Sequence, residues 1–168
     1  STSILSNSVT GIDKRSFRSC SLITSVDIPS SVEKIGDESF IGCTGLESID
    51  VDPKNKNYSS IDGVLFDKNI TELIKYPSNK SECLYSMPNS VEIIGPYSFS
   101  YCPQLKSLTF SDKVKFIDDF SIEFCKNLDT ICISDDIQEV GSYAFYDCNN
   151  INNVVINNGT KVITSEMI

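Results

Sequence analysis

The chain predicts an α/β solenoid, a single elongated body with parallel strands stacked along a concave face and short helical or irregular turns along the convex one. Three observations carry this. One apolar template, V-x-x-I-x-x-x-x-F-x-x-C-x-x-L-x-x-I-x-I, occurs in five copies, and copies adjacent in sequence repeat every 23 residues. The last residues of each copy alternate apolar and polar, which is the period of a half-buried strand. A unit this short cannot bury its own apolar residues, so it must stack on its neighbours and share one continuous core.

The first copy reads Val9, Ile12, Phe17, Cys20, Ile23, Val26, Ile28 and the second Val32, Ile35, Phe40, Cys43, Leu46, Ile49, Val51. The third is Val91, Ile94, Phe99, Cys102, Leu105, Leu108, Phe110, and the fourth Val114, Ile117, Ile122, Cys125, Leu128, Ile131, Ile133. The fifth is Ile137, Val140, Phe145, Cys148, Ile151, Val154, Ile156. Segments such as Ile49-Asp50-Val51 supply strands whose inward residues meet those of the next coil about 4.8 Å away. Gly36, Gly95 and Gly141 follow the Ile or Val of the template, where glycine can supply the positive φ of a turn. Asp13 and Asp118 hold the same slot in the other copies. Asp37 to Cys43 then reads as one turn of helix whose Phe plugs the core.

Residues 1–168 form one domain on this reading, and residues 52–83 are one enlarged repeat. Its closing strand is Tyr85 and Met87, and its outgoing half is a hairpin: Ser60 to Asp67, a turn at Lys68-Asn69, then Ile70 to Tyr76. The hairpin is either a tolerated surface decoration or a recognition ridge. Val162 and Ile163 look like the opening of another unit, which makes the chain a candidate fragment of a longer array.

Ile28-Pro29-Ser30-Ser31-Val32-Glu33-Lys34-Ile35-Gly36 and Gly141-Ser142-Tyr143-Ala144-Phe145 resemble the leucine-rich repeats of BspA-like proteins, a family of bacterial and protist surface proteins. The Asp62-Gly63-Val64-Leu65 stretch is similar to islands found in that family. The resemblance implies a right-handed leucine-rich-repeat horseshoe and, in function, adhesion to host, matrix or microbial surfaces. The motif is a packing motif and carries no chemistry of its own.

Composition excludes several classes. A net charge of −9 leaves no basic stripe for nucleic acid or an anionic membrane, and no apolar run is long enough to span a bilayer. The chain has no histidine, which removes the commonest general base and most zinc sites. Ser1 to Ser8 lacks the features of a signal peptide. The Asp118-Asp119 and Asp135-Asp136 pairs fall at turns, where aspartate bonds local backbone. No enzyme, cofactor or metal is expected.

Five cysteines share one template position and are expected to form a buried column of small thiols, poorly placed for disulfides or metals. Cys83 and Cys132 break it, and Cys132 should face outward between Ile131 and Ile133. Outward strand positions form rows of mostly small polar residues, so Asp27, Ser48, Asp50, Ser107, Thr109, Thr130 and Cys132 are the candidate ligand-contact surface. A bare solvated face is the alternative. Asp27, Asp50 and Asp52 gather acidic charge at one end. On the convex side, Arg15, Glu38, Tyr97, Phe120 and Tyr143 align two places before the plug, and Tyr101 and Phe124 match two places after it. Stacking between coils explains these rows, and an exposed strip for dimerisation or adhesion is the rival. Asn57, Asn69, Asn79 and Asn158 are sequons that suit a secreted chain. The expected function is a non-catalytic module that binds a protein or cell-surface ligand, on a secreted or surface-exposed protein. The alternatives are an intracellular scaffold and a structural spacer in a longer repeat array.

Overall fold

The computed structural model describes residues 2–156. In chain order the strands are β1 (Thr2–Ile4), β2 (Gly11–Ile12), β3 (Ser25–Ile28), β4 (Lys34–Ile35), β5 (Ser48–Val51), β6 (Tyr58–Ile61), β7 (Val64–Asp67) and β8 (Glu72–Lys75). They continue as β9 (Leu84–Ser86), β10 (Ile93–Ile94), β11 (Ser107–Thr109), β12 (Phe116–Ile117), β13 (Thr130–Ile133), β14 (Glu139–Val140) and β15 (Asn153–Ile156). The architecture is a parallel-strand β-solenoid. Among the described residues there is no helix, so the α/β expectation and its helical turns are corrected to an all-β coil.

The template sets the register. β3 pairs with β5 as Ser25↔Ser48 and Val26↔Ile49, and β13 with β15 as Thr130↔Asn153 and Ile131↔Val154. Residues one period apart therefore stack side by side. Val26, Ile28 and Ile49 are at most 1% exposed, while Ser25 and Asp27 between them are only half-buried. A second row of short strands runs alongside the first, with β8, β10, β12 and β14 consecutive and β2 paired to β4.

The turn segments show why no helix forms. Residues two places before the plug adopt positive φ, at 66° for Arg15, 60° for Glu38, 56° for Tyr97, 53° for Phe120 and 54° for Tyr143. Residues two places after it do the same, at 61° for Ser19, 71° for Gly42, 57° for Tyr101, 55° for Phe124 and 55° for Asp147. Two left-handed residues per turn break the helical ladder and aim alternate N–H groups at the next coil. Phe17 N donates to Ser39 O at 2.9 Å and Ser19 N to Ile41 O at 2.7 Å; Phe99 N donates to Ser121 O at 2.7 Å and Tyr101 N to Glu123 O at 3.0 Å. Inter-coil bonds replace helical ones, so the buried backbone remains paired.

Gly36, Gly95 and Gly141 do not carry the positive φ assigned to them above. Their role is close approach: a Cβ on Gly141 would lie 2.5 Å from Asp119 N and 2.6 Å from Asp118 C of the preceding coil. A missing side chain is what lets the backbones stack so tightly at Gly36 and Gly141, whereas a Cβ on Gly95 would still lie 3.1 Å from its nearest neighbours.

The insert departs most from the sequence reading. Ser60 to Asp67 is not one strand: Asp62 (φ 50°) and Gly63 (φ 75°) form a two-residue turn, so β6 and β7 pair antiparallel as Ile61↔Val64 and Ser60↔Leu65. β7 then pairs antiparallel with β8, which joins β10 in parallel and enters the second strand row. Val64, Leu65 and Phe66 are all 0% exposed. Leu65 packs into an N-terminal core with Ile28, Phe40 and Ile49, whereas Val64 and Phe66 pack into a C-terminal core with Tyr76, Phe99 and Leu108. The decoration reading is thereby overturned: β7 is a wall shared by two cores. Asn55 fixes its entry, donating to Pro29 O and Val32 O at 2.9 Å and accepting from Asn57 N and Tyr58 N at 2.8 and 2.9 Å.

Phe66→Ala should cost about 3 to 5 kcal/mol in urea unfolding, the range for emptying a filled aromatic site. Phe17→Ala, at a plug that remains half-buried, should cost distinctly less. Equal losses would contradict the central place of β7.

Candidate functional site

The outward rows stand as the template aligned them. Asp27 pairs in register with Asp50, Ser107 with Thr130, and Thr109 with Cys132. They do not form one surface. Asp27, Ser48 and Asp50 lie on the sheet β1-β3-β5, and Ser107, Thr109, Thr130 and Cys132 on the sheet β9-β11-β13-β15. The hairpin sits between them: Ile49 N donates to Gly63 O at 2.8 Å, and a Cβ on Gly63 would lie 2.8 Å from Ser48 Cβ. Ser48 is thus pressed against the β6–β7 turn, with its Oγ donating to Asp50 Oδ2 at 2.8 Å. Asp52 is drawn into its own turn, accepting from Lys54 N at 2.8 Å. Thr130 Oγ1 bonds Asp129 Oδ1 at 2.7 Å.

The cysteine column sews coils together. Cys43 Sγ donates to Phe17 O at 2.9 Å, Cys125 Sγ to Phe99 O at 3.0 Å and Cys148 Sγ to Ile122 O at 2.9 Å. Each thiol therefore reaches the plug residue of the coil before it. Burial pushes the Cys43 thiol up. Cys125 and Cys148 are raised chiefly by the neighbouring thiols of Cys102 and Cys125 respectively. Cys20 departs from the expected column by being only half-buried, since it lies in the first template coil; Cys83 is exposed and Cys132 half-buried.

Sequence reasoning missed a buried polar group behind the insert. Tyr76, 1% exposed, fills the plug slot of the enlarged coil, stacking on Phe99 at 5.2 Å and donating its N–H to Ser98 O at 2.9 Å. It comes three residues after Leu73, where regular copies take five (Ile94 to Phe99), because β8 runs straight through the left-handed turn. Lys75 beside it is 4% exposed and donates to Tyr97 O at 3.1 Å and Ser100 O at 3.5 Å. Ser100 Oγ in turn donates to Glu123 Oε1 at 2.7 Å, with Glu123 6% exposed. Burial holds Lys75 below its ordinary range and Glu123 above its own. The broken spacing between Leu73 and Tyr76 is the one signal that could have found this site.

The convex rows are ladders. Tyr97 stacks on Phe120 at 5.5 Å and 2°, Phe120 on Tyr143 at 5.3 Å and 18°, and Tyr101 on Phe124 at 4.5 Å and 21°. Tyr146 meets Phe120, Phe124 and Tyr143 edge-on. Stacking offsets the left-handed strain that bulky residues carry there. In the first two copies the same row is ionic, with Arg15 Nε 2.6 Å and Lys14 Nζ 3.0 Å from Glu38, whose carboxyl is held low chiefly by its bond from Arg15.

Of the sequons, Asn69 is exposed between β7 and β8. Asn57 Nδ2 donates to Glu33 O at 3.0 Å and Asn79 Nδ2 to Glu47 Oε1 at 3.4 Å. Asn158, like Val162 and Ile163, lies outside the described residues. No helix among the described residues is long and apolar enough to cross a membrane.

A thiol reagent under native conditions should label Cys83 first and Cys132 and Cys20 more slowly, leaving Cys43, Cys102, Cys125 and Cys148 protected, as read by mass spectrometry. Stability should also depend on pH in a defined sense. Burial raises the Glu72, Glu123 and Asp118 carboxyls, so the folded state binds these protons more tightly than the unfolded chain. Melting temperature should therefore rise as pH falls from 7 toward about 5, before the lowered Glu38 begins to lose its ion pairs. The double variant Glu72→Gln/Glu123→Gln should flatten that rise; an unchanged slope would assign it to net charge alone.

The BspA type leucine rich repeat region matches residues 1–84 and 81–168, with six copies. No curated protein matches the chain. A leucine-rich repeat protein from Eubacterium ventriosum is 28% identical with a TM-score of 0.84, over 92% of this chain and 41% of its own. A leucine rich cell surface protein from Faecalibacterium prausnitzii is 23% identical with a TM-score of 0.66, over 94% and 53%. The pneumococcal vaccine antigen PcpA is 24% identical with a TM-score of 0.67, over 81% and 39%. The last two are likenesses of fold alone, and the chain spans 41%, 53% and 39% of these three structures. With the repeat matched from end to end, the chain belongs to the family of BspA type leucine-rich repeat proteins.

Proposed function

We propose that this chain is a non-catalytic protein-binding module of a secreted or surface-exposed protein, contacting a protein or cell-surface ligand through its strand face. The observation that carries the reading is the sheet β9-β11-β13-β15, where Ser107, Thr109, Thr130 and Cys132 stand in register and remain half-buried. Small side chains on a rigid sheet let a partner approach the strands closely and lose little entropy in doing so. Asp27, Ser48 and Asp50 supply a second, acidic patch across the β6–β7 turn. The repeat family and the surface protein among its structural neighbours support an extracellular place, and exposed Asn69 offers a glycan site there. An adhesin role toward host, matrix or microbial surfaces is the narrowest form of the proposal.

The rival is an intracellular scaffold, favoured by seven free cysteines. Membrane-impermeant labelling of intact cells separates the two, since modification only after lysis would sink the surface reading. Against a panel of immobilised matrix glycoproteins, Ser107→Arg/Thr130→Arg should weaken capture at least about tenfold, as expected for a bulky charge at the centre of an interface. Unaltered capture by that variant, together with loss on Ile61→Arg in the β6–β7 hairpin, would move the contact to the insert.

A further inference from the structure

A second surface lies along the second row of short strands. Between β10, β12 and β14 and the turns that follow them runs an open groove of about 520 Å³. Pro96 and Phe116 give it apolar walls, and Asp118, Asp119, Glu139 and Gly141 line it as well. The aromatic ring that lines it is that of Phe116, and Asp119 also acts electrostatically on the Tyr97 hydroxyl of the neighbouring ladder. Tyr143 is 57% exposed.

The charges are one-sided. Among the described residues no Lys or Arg lines the groove, and none of the ion pairs includes Asp118, Asp119 or Glu139; Lys115 and Lys126 pair instead with Glu92 and Asp147. The Asp118 carboxyl is raised by burial and then by the charges of Asp119, Glu139 and Asp37, a mutual repulsion that a bound cation would relieve. Among the described residues no three acidic or thiol side chains converge as a metal site would require. Carboxylates spread along a groove walled by Pro96 and the Phe116 ring suit extended cationic side chains, whose stems pack on those apolar walls while their heads meet the acids.

We infer that the groove bordered by Pro96, Phe116, Asp118, Asp119 and Glu139 docks an arginine- or lysine-rich segment of a partner protein. This surface is separate from the strand face and does not rest on the reading given for it.

The test is fluorescence anisotropy of a labelled octa-arginine peptide with the whole chain. Asp118→Asn/Asp119→Asn/Glu139→Gln should weaken binding at least about tenfold, while Asp27→Asn/Asp50→Asn/Asp52→Asn, with the same loss of charge on the other face, should change it less than about twofold. Phe116→Ala should weaken it about threefold through the lost ring contact. In the Asp119→Asn change the side-chain amide oxygen can still accept the bond that Asp119 Oδ1 takes from Ser142 N at 2.7 Å. The single variant Glu139→Gln, at an exposed residue, gives the same comparison if the triple variant melts early. Equal weakening by both triple variants would reduce the binding to net charge and overturn the proposal. Calcium binding by calorimetry that displaces the peptide and is lost in the groove variant would overturn it in favour of a metal site.

Discussion

β7 is the contact on which the rest of the molecule depends. It sends Leu65 into one core and Val64 and Phe66 into the other, with none of the three exposed to solvent. A solenoid normally covers each coil with the next, but here the strand row is interrupted between β5 and β9, and the hairpin fills the interruption. Gly63 O accepts the Ile49 N–H that a neighbouring strand would otherwise take. Without that wall both cores would open onto water at the middle of the array, where burial of each large side chain is worth about 1.5 to 3 kcal/mol.

The same constraint explains the outer surfaces. Stacking at one period brings equal positions together, so whatever the template places outside becomes a row. Two left-handed residues per turn aim N–H groups at the next coil, and the first of each pair is ionic in the N-terminal coils (Arg15, Glu38) and aromatic in the C-terminal ones (Tyr97, Phe120, Tyr143). Ion pairs between Arg15 and Glu38 and stacked rings from Tyr97 to Tyr143 solve one problem, strained backbone at adjacent positions, by different chemistry. The divide between the two solutions falls at the insert, as does the divide between cores and between strand-face sheets. The chain therefore presents two unlike halves on each side of one wall.

Function in such a molecule is a property of surfaces. The buried Lys75, Ser100 and Glu123 are hydrogen-bonded within the core, Lys75 donating to backbone carbonyls and Glu123 accepting from a hydroxyl. What distinguishes this chain from a bare repeat is the pair of faces it offers: small and polar on the strand side, aromatic and acidic behind.

The sequence by itself determined the stacked coils, the strand registers, the Phe plugs and most of the cysteine column, because seven apolar positions recurring at one period admit only neighbours one period apart. Tertiary structure alone decided the rest. Apolar pattern marks Val64, Leu65 and Phe66 as buried but cannot say that they face two cores, since that depends on where the chain returns after residue 76. Gly36 and Gly141 were visible as special positions, yet whether a glycine serves a torsion angle or a close approach is settled by the backbone packed against it. The candidate contact residues were correctly aligned in rows, and their separation into two patches was invisible because the turn at Asp62 and Gly63 reaches them only in the folded coil.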